Sequence, residues 1–326
     1  VVETQKSDVP KILIIRFSSI GDIVLTTPVI RCVKKQLHAE VHFLTKPQYA
    51  AVLQENPYLD RIITLKSSVS QTMHEIRREA YDLVIDLHNN IRSRLITSVS
   101  GSPTIRYDKL NLLKWLMVRF KLNHLPIGKH LVDRYFDAIH IAGIMDDGMG
   151  LDYIICQDDA DAAFQMVSHL KFQVLILGAT YYTKRIPVRK CEEIISSSSL
   201  LTVLLGGKDV SETARVLAEK FPQSVVNFCG TINLGTSAAI MQQAQKVYSG
   251  DTGMMHIAAA LQKELIVLWG STIPAFGMYP YYGKNNVPKS INLEVKGLAC
   301  RPCSKLGFDK CPEKHFRCMH EIRIPT

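Results

Sequence analysis

At 326 residues, 47% of them hydrophobic, and with a net charge of +9, the chain is long for one compact domain and apolar enough to bury a sizeable core. No apolar run approaches the roughly 18 residues of a membrane-spanning helix, and the polar start VVETQKSDVP has no signal-peptide pattern, so the expected location is the cytoplasm. Eight cysteines, four of them scattered singly at 32, 156, 191 and 229, suit reduced thiols better than a disulfide framework.

The first informative stretch is KILIIRFSSIGDIVLTTPVIR, Lys11 to Arg31. Ile12 to Arg16 reads as a buried strand, Ser18 to Asp22 as a tight turn, and the rest as an apolar segment at helical spacing. Ligands of open α/β sheets bind at such units, outside the carboxyl ends of the strands. Gly21 permits a close approach that a Cβ would obstruct, and Asp22 is the one acidic side chain at this edge. The plainer reading is that Ser18, Ser19 or Asp22 caps the helix. Val41 to Thr45 and Arg61 to Leu65 read as strands, Val69 to Glu79 as a helix, and Tyr81 to Leu87 as a further strand. This alternation indicates βαβ units and a mainly parallel sheet. His88, Asn89, Asn90 and Arg92 follow that last strand and are candidates for the same edge as Asp22. An ordinary polar loop is the alternative.

The charge is uneven. Arg92, Arg94, Arg106, Lys109, Lys114, Arg119, Lys121, Lys129 and Arg134 stand against Asp108 and Asp133, so this window alone carries +7. A local basic field draws anionic partners: nucleic acid, a phosphorylated glycolipid or a membrane surface. Within it KLNLLKWLMVRFKL, Lys109 to Leu122, puts Lys114 and Lys121 on one helical face and Arg119 off it. It reads either as a helix on a membrane surface or as a core-facing helix with snorkelling lysines. Asp146-Asp147-Gly148 and the acidic Gln157 to Asp161 bracket a composition change. The expected domains are therefore 1–157 and 158–326. Asp159-Ala160-Asp161 has the spacing by which some sugar-nucleotide enzymes hold a divalent metal, but its place favours a helix start.

The second half repeats the alternation. Phe172 to Leu177 runs into Gly178-Ala179-Thr180, and Leu200 to Leu205 into Gly206-Gly207. Val247 to Ser249 leads to Gly250-Asp251-Thr252-Gly253 and the helix Met254 to Leu261, and Leu265 to Trp269 runs into Gly270-Ser271-Thr272. Four strands ending in small or glycine-rich turns suggest a nucleotide-sized ligand across the strand ends. At the helix start, the backbone N–H groups of Thr252, Gly253 and Met254 make a phosphate site. Asp251-Thr252-Gly253 also matches the aspartic-protease tripeptide, but no second D-T/S-G supplies the paired carboxylate that chemistry needs. Lys184 and Arg185 follow the Gly178–Thr180 turn, and a lysine there contacts phosphate as a point charge. Cys300, Cys303, Cys311 and Cys318 put four thiols in nineteen residues. A structural zinc and a set of small buried thiols are both open readings.

Together these stretches resemble a known family. Ser18-Ser19-Ile20-Gly21-Asp22-Ile23-Val24 with Pro28, Asp86-Leu87-His88-Asn89-Asn90-Ile91-Arg92-Ser93, Gly178-Ala179 followed by Lys184-Arg185 and Pro187, and Asp251-Thr252-Gly253-Met254-Met255-His256-Ile257-Ala258-Ala259-Ala260 look like the lipopolysaccharide heptosyltransferases. The Cys300–Cys318 tail is similar to that of many members. Ile186 stands where a Trp commonly precedes the proline, and Gly206-Gly207-Lys208-Asp209 matches the ribose-binding stretch only loosely.

The resemblance implies the GT-B fold, two Rossmann-like domains with mainly parallel sheets facing a central cleft. It implies inverting, metal-independent transfer of heptose from ADP-heptose to the inner core of lipopolysaccharide. Asp22 is then the general base and Lys184 the cation at the leaving ADP. Asp251 and His256 lie near the donor sugar and phosphate, Ile232 lines the adenine, and Asp209 meets the ribose. Thr180 and the Thr252–Met254 turn complete the donor set. Ser19, Gly21, His88, Asn89 and Arg92 form the acceptor set. No cofactor is expected in catalysis, and a structural zinc at the cysteine tail stays one of its two open readings. The expected partners are the donor, the core acceptor and the anionic inner face of the inner membrane, with no nucleic acid. The rival readings are a GT-B transferase with another donor or acceptor, as in capsule or O-antigen assembly, and a non-catalytic protein binding anionic lipid or RNA.

Overall fold

The computed structural model describes residues 9–325, so the polar start lies outside the described residues apart from Val9 and Pro10. Chain contacts sort them into two units. The first runs to Lys109 and resumes over Leu131–Ile154; the second takes Leu110–His130 and everything from Ile155. The third and last crossing, after Ile154, falls close to the composition change near residue 157. The transfer of residues 110–130 to the second unit is a feature that a single boundary does not contain.

The first unit contains β1 (Lys11–Ile15), α1 (Ile20–Val24), α2 (Thr27–Leu37), β2 (Glu40–Thr45), β3 (Arg61–Thr64), α3 (Val69–Arg78), β4 (Leu83–Asp86), α4 (Ile91–Ser98) and β5 (Thr104–Arg106). Next comes α5 (Asn111–Phe120), which packs with the second unit, and α6 (Leu131–Ile139) returns to the first. The sheet order is β3-β2-β1-β4-β5, with every pairing parallel. β1 reads as a continuous apolar run because a parallel strand flanked by helices is buried on both faces. Leu13, Ile15, Phe17, Leu44, Ile63, Ile76 and Val84 form one side of the core, each contributing about 1.5–3 kcal/mol on full burial. Strand order reverses between β1 and β4, and that switch point is where a ligand crevice opens in such sheets. Asp146-Asp147-Gly148 is not a linker. Buried Arg31 of α2 grips Asp147 with two bonds of 2.7 and 2.8 Å, pairs with Asp152 and donates to Gly150 O at 2.9 Å.

The second unit holds α7 (Gln157–Val167), β6 (Phe172–Ile176), α8 (Val188–Ser196), β7 (Leu201–Leu205), α9 (Ser211–Lys220), β8 (Val225–Asn227), α10 (Leu234–Gln243), β9 (Val247–Gly250), α11 (Gly253–Ala260), β10 (Leu265–Trp269), β11 (Ser290–Glu294) and α12 (Arg317–His320). Its sheet order is β11-β10-β9-β6-β7-β8, again parallel throughout, with the switch between β6 and β9. Phe316, Cys318, Met319 and Ile322 return to this core beside Leu204, Ile266 and Leu268. Ile186 is buried in the same cluster, which accounts for an aliphatic side chain before Pro187. α5 is held by Met117, which packs with Leu125, Ile273 and Phe276, and by Lys121, which donates to Cys300 O and Pro302 O at 3.1 and 2.8 Å.

Candidate active site

In the first unit the residues after β1 and β4 meet at the switch point. Ser19 caps α1, and the Asp22 carboxylate accepts from Ser19 N at 3.0 Å and Ser19 Oγ at 2.9 Å. The capping reading of this turn therefore holds, and it does not exhaust Asp22. Its other oxygen lies 2.5 Å from Arg16 Nη2. Arg16 is buried; Nε donates to Ser18 O at 3.0 Å, and Nη1 donates to Leu87 O and, at 3.4 Å, to Tyr107 Oη. Burial works against the guanidinium charge, but the Asp22 carboxylate together with Tyr135 and Tyr107 outweighs it, and the pKa of Arg16 is raised. Asp22 keeps partial access to solvent, its side chain being 19% exposed.

β4 ends in Asp86, fully buried, which accepts from His88 N at 3.0 Å, Asn89 N at 2.7 Å and Ser93 Oγ at 2.7 Å. One carboxylate thus shapes the whole His88–Ser93 stretch, with Asn90 capping α4. His88 packs its ring on Phe17, centroids 4.6 Å apart. Burial, reinforced by the charge of Arg16, pushes its pKa down to about 3, so the ring is neutral in ordinary buffers. Asn89 is committed to the scaffold: it donates to Tyr107 O at 3.0 Å and accepts from Arg94 Nε at 3.0 Å. Arg92 is exposed on the first turn of α4.

In the second unit the segments after β6, β9 and β10 converge. Lys184 Nζ lies 2.7 Å from Asp251 Oδ2, and Thr272 Oγ1 donates to the same oxygen at 2.8 Å. Thr252 caps α11, accepting from Met255 N at 3.3 Å, with Gly253 and Met254 on the first turn and His256 buried one turn on. The loop carrying Lys184 is clamped from below. A Cβ on Gly250 would lie 2.2 Å from Lys184 O, and one on Gly270 would lie 2.4 Å from Thr183 O. Two of the strand-end glycines therefore make room for protein backbone. Thr183 is also pinned to Ser271 Oγ at 2.9 Å and to Phe308 N at 2.8 Å. Arg185 turns to Asp209 at 2.5 Å and to Ala179 O at 3.0 Å, so Asp209 enters the site through an ion pair. Thr180 is exposed beside this loop, and Ile232 is half-buried just before α10. Sequence reasoning missed Arg16, Thr183 and Thr272. Arg16 was read as the end of a strand, Thr183 lies outside every motif, and Thr272 was named only as part of a small strand-end turn.

Asp159 of the D-x-D accepts from Asn233 Nδ2 at 2.9 Å, Thr236 Oγ1 at 2.6 Å and Cys156 Sγ at 3.1 Å, which joins α7 to the cap of α10. It is a helix-start residue with its acceptor capacity spent. Cys300, Cys303, Cys311 and Cys318 are reduced; Cys300 Sγ lies 4.0 Å from His315 Nε2, Cys303 donates to Cys300 O, and Cys318 is in the core. Among the described residues no group of three or more His, Cys, Asp or Glu side chains is arranged to hold a metal ion.

Two parallel doubly wound sheets, with polar clusters at the switch point of each, are the architecture of the GT-B class. The glycosyltransferase family 9 (heptosyltransferase) model matches residues 69–304, and the chain belongs to that family. It is 23% identical to lipopolysaccharide heptosyltransferase 1 of Campylobacter coli, over 91% of this chain and 94% of that protein. It is 27% identical to lipooligosaccharide heptosyltransferase 2 of Haemophilus ducreyi, over 82% and 85% respectively. Among solved structures it resembles a family 9 glycosyltransferase from Veillonella parvula (TM-score 0.72, 21% identity, 89% of this chain and 88% of that one). It also resembles the ADP-heptose heptosyltransferase II of Escherichia coli (TM-score 0.68, 17% identity, 95% and 98%).

Proposed function

We propose that this protein transfers heptose from ADP-heptose to the inner core of lipopolysaccharide, with inversion at the anomeric carbon and no metal ion in the transfer step. The observation that carries the reading is the Lys184–Asp251–Thr272 cluster at the capped start of α11, within the matched family segment. As the glycosidic bond to ADP breaks, negative charge grows on the terminal phosphate. Lys184 and the N–H groups opening α11 oppose that charge. Asp22 takes the proton from the acceptor hydroxyl. A carboxylate is adequate for this because an oxocarbenium-like transition state asks little of its nucleophile until late. His88 does not compete for the proton, since its ring stays neutral down to about pH 3.

The acceptor is part of a glycolipid, and α5 supports peripheral contact with an anionic membrane. Leu112, Trp115 and Arg119 share its outward face, with Leu112 67% and Trp115 54% exposed, while Met117 faces inward. Exposed aromatic and aliphatic side chains beside cations suit a headgroup boundary. No helix among the described residues is long and apolar enough to cross a membrane. The field is weaker than the +7 count, because Arg134 is buried and Lys121 is spent on carbonyls.

The test is turnover of ADP-heptose with heptose-deficient lipopolysaccharide, beside UDP- and GDP-sugars, with the anomeric configuration of the product read by NMR. Release of ADP with an inverted linkage is expected. Turnover of a UDP- or GDP-sugar in its place would move the protein to another pathway, and a retained configuration would remove the single-displacement mechanism.

A further inference from the structure

We propose that Arg16 is a positioning residue for the Asp22 base, tying its carboxylate to the ends of β4 and β5 so that it stays ionised and aimed. This rests on the assignment of Asp22 as base. The argument begins from the directions in which Arg16 spends its donors. Nη2 goes to Asp22 Oδ1 at 2.5 Å, Nη1 to Leu87 O past the end of β4 and to Tyr107 Oη past the end of β5, and Nε to Ser18 O. A planar guanidinium holding three strand ends at once has little freedom to swing, so the carboxylate it holds inherits that fixity. The second Asp22 oxygen is held by the N–H and the hydroxyl of Ser19. Rotation of the carboxylate is thus opposed from both sides. A buried guanidinium is tolerated only beside compensating charge and acceptors, so Arg16 and Asp22 each account for the other's position.

Other charged and titratable groups surround the pair. His88 lies in the loop after β4, Tyr107 after β5, Tyr135 and Arg134 on α6, Lys46 after β2, and Lys109 further along the chain. His88 is neutral, and burial holds the Tyr135 phenol well above its ordinary range, so neither changes charge near neutrality. Removing Arg16 also takes away one of the influences that hold the His88 pKa down, so a pH effect that follows substitution of Arg16 reports on Asp22 when it persists in a His88→Gln background.

Two substitutions separate orientation from charge. Arg16→Met removes both; Arg16→Lys keeps a cation but replaces the planar fork that spans Asp22 and Leu87 with a single mobile ammonium. For Arg16→Met, kcat is expected to fall about tenfold or more, and the acid limb of the kcat–pH profile to move up by about one unit, because a carboxylate without its cation is protonated sooner. For Arg16→Lys, kcat falls while the acid limb stays where it is in the unaltered enzyme. ADP affinity, measured by calorimetry, is unchanged in both, because the donor cluster lies on the other unit. If Arg16→Met does not fold, the Arg16→Lys profile decides alone. Normal kcat and a normal acid limb in folded Arg16 variants would overturn the proposal. Should Asp22→Asn also turn over normally, it is the base assignment that fails; an inactive Asp22→Asn beside normal Arg16 variants removes only the positioning role.

Discussion

Gly250→Ala tests how tightly the Lys184 loop is built. The added Cβ would lie 2.2 Å from Lys184 O and 3.4 Å from its carbonyl carbon. Ordinary contact begins near 3.4 Å, so the oxygen must withdraw by about 1 Å, and as backbone it has no rotamer by which to escape. The loop cannot slide alone, because Thr183 is locked to Ser271 and Phe308 and abuts Gly270. Either the loop lifts and carries Lys184 away from Asp251, or β9 shifts between β6 and β10. Overpacking of this kind costs about 1–3 kcal/mol. At about 2–4 °C per kcal/mol for a unit of this size, that is a Tm loss of several degrees. A displacement near 1 Å at a charge-stabilising group also costs about a hundredfold in rate. Gly178→Ala is the control. Its Cβ would meet Gly206 Cα and Gly207 N at 3.6 Å, an ordinary contact, and its stability should change by less than about 0.5 kcal/mol. Differential scanning fluorimetry, ADP calorimetry and turnover give the three readings. A Gly250→Ala protein with unchanged Tm and ADP affinity would refute the clamped-loop argument.

Asp22→Asn should lower kcat by about two orders of magnitude or more with ADP affinity nearly unchanged, and near-normal turnover would exclude it as base. Lys184→Ala should weaken ADP binding and slow transfer together, measured by calorimetry and single-turnover kinetics; equal ADP affinity would take Lys184 out of the donor site. His88 ties stability to pH. Its native pKa of about 3 lies below the unfolded value near 6.5, so only the unfolded chain takes the proton between them, and stability falls as pH drops from about 6.5. His88→Gln should flatten the slope of Tm between pH 7 and pH 5, and parallel slopes would contradict the assignment. Trp115→Ser with Arg119→Glu should reduce co-sedimentation with anionic vesicles at low salt while leaving ADP binding intact. Equal binding of the unaltered protein to neutral and anionic vesicles would remove the membrane role of α5.

Long apolar runs made most of the fold legible in the sequence. β1, β2, β6, β7 and β10 are buried on both faces, so their composition alone marks them. β5, β8 and β11 escaped notice because they are short or lie at sheet edges, where Thr104, Asn227 and Ser290 are as acceptable as valine. The turn after β1 was legible because a glycine, a capping serine and an aspartate fall within four residues. Arg16 was not, since an arginine at a strand end looks the same whether it reaches water or a carboxylate six residues on. Lys184 and Asp251 were each visible, but their pairing across 67 positions depends on the β6–β9 switch, which only the strand order reveals. The charge window misled in one respect: counting cations cannot separate Arg119, which faces solvent, from Arg134, which is buried.

The excursion of residues 110–130 bears on how this protein can be taken apart and recombined. The chain passes between its two units three times, so the second unit is discontinuous in the gene. A fragment beginning at Ile155 would lack Met117 and Leu125, leaving Ile273 and Phe276 uncovered, and would lose the lysine that closes on Cys300 and Pro302. A chimera joining the first half of one relative to the second half of another at a single junction would pair α5 with a surface it did not evolve against. Recombination that respects the architecture must move residues 110–130 with the C-terminal unit, and single-crossover hybrids should be recovered mainly where the parents agree at Met117, Ile273 and Phe276.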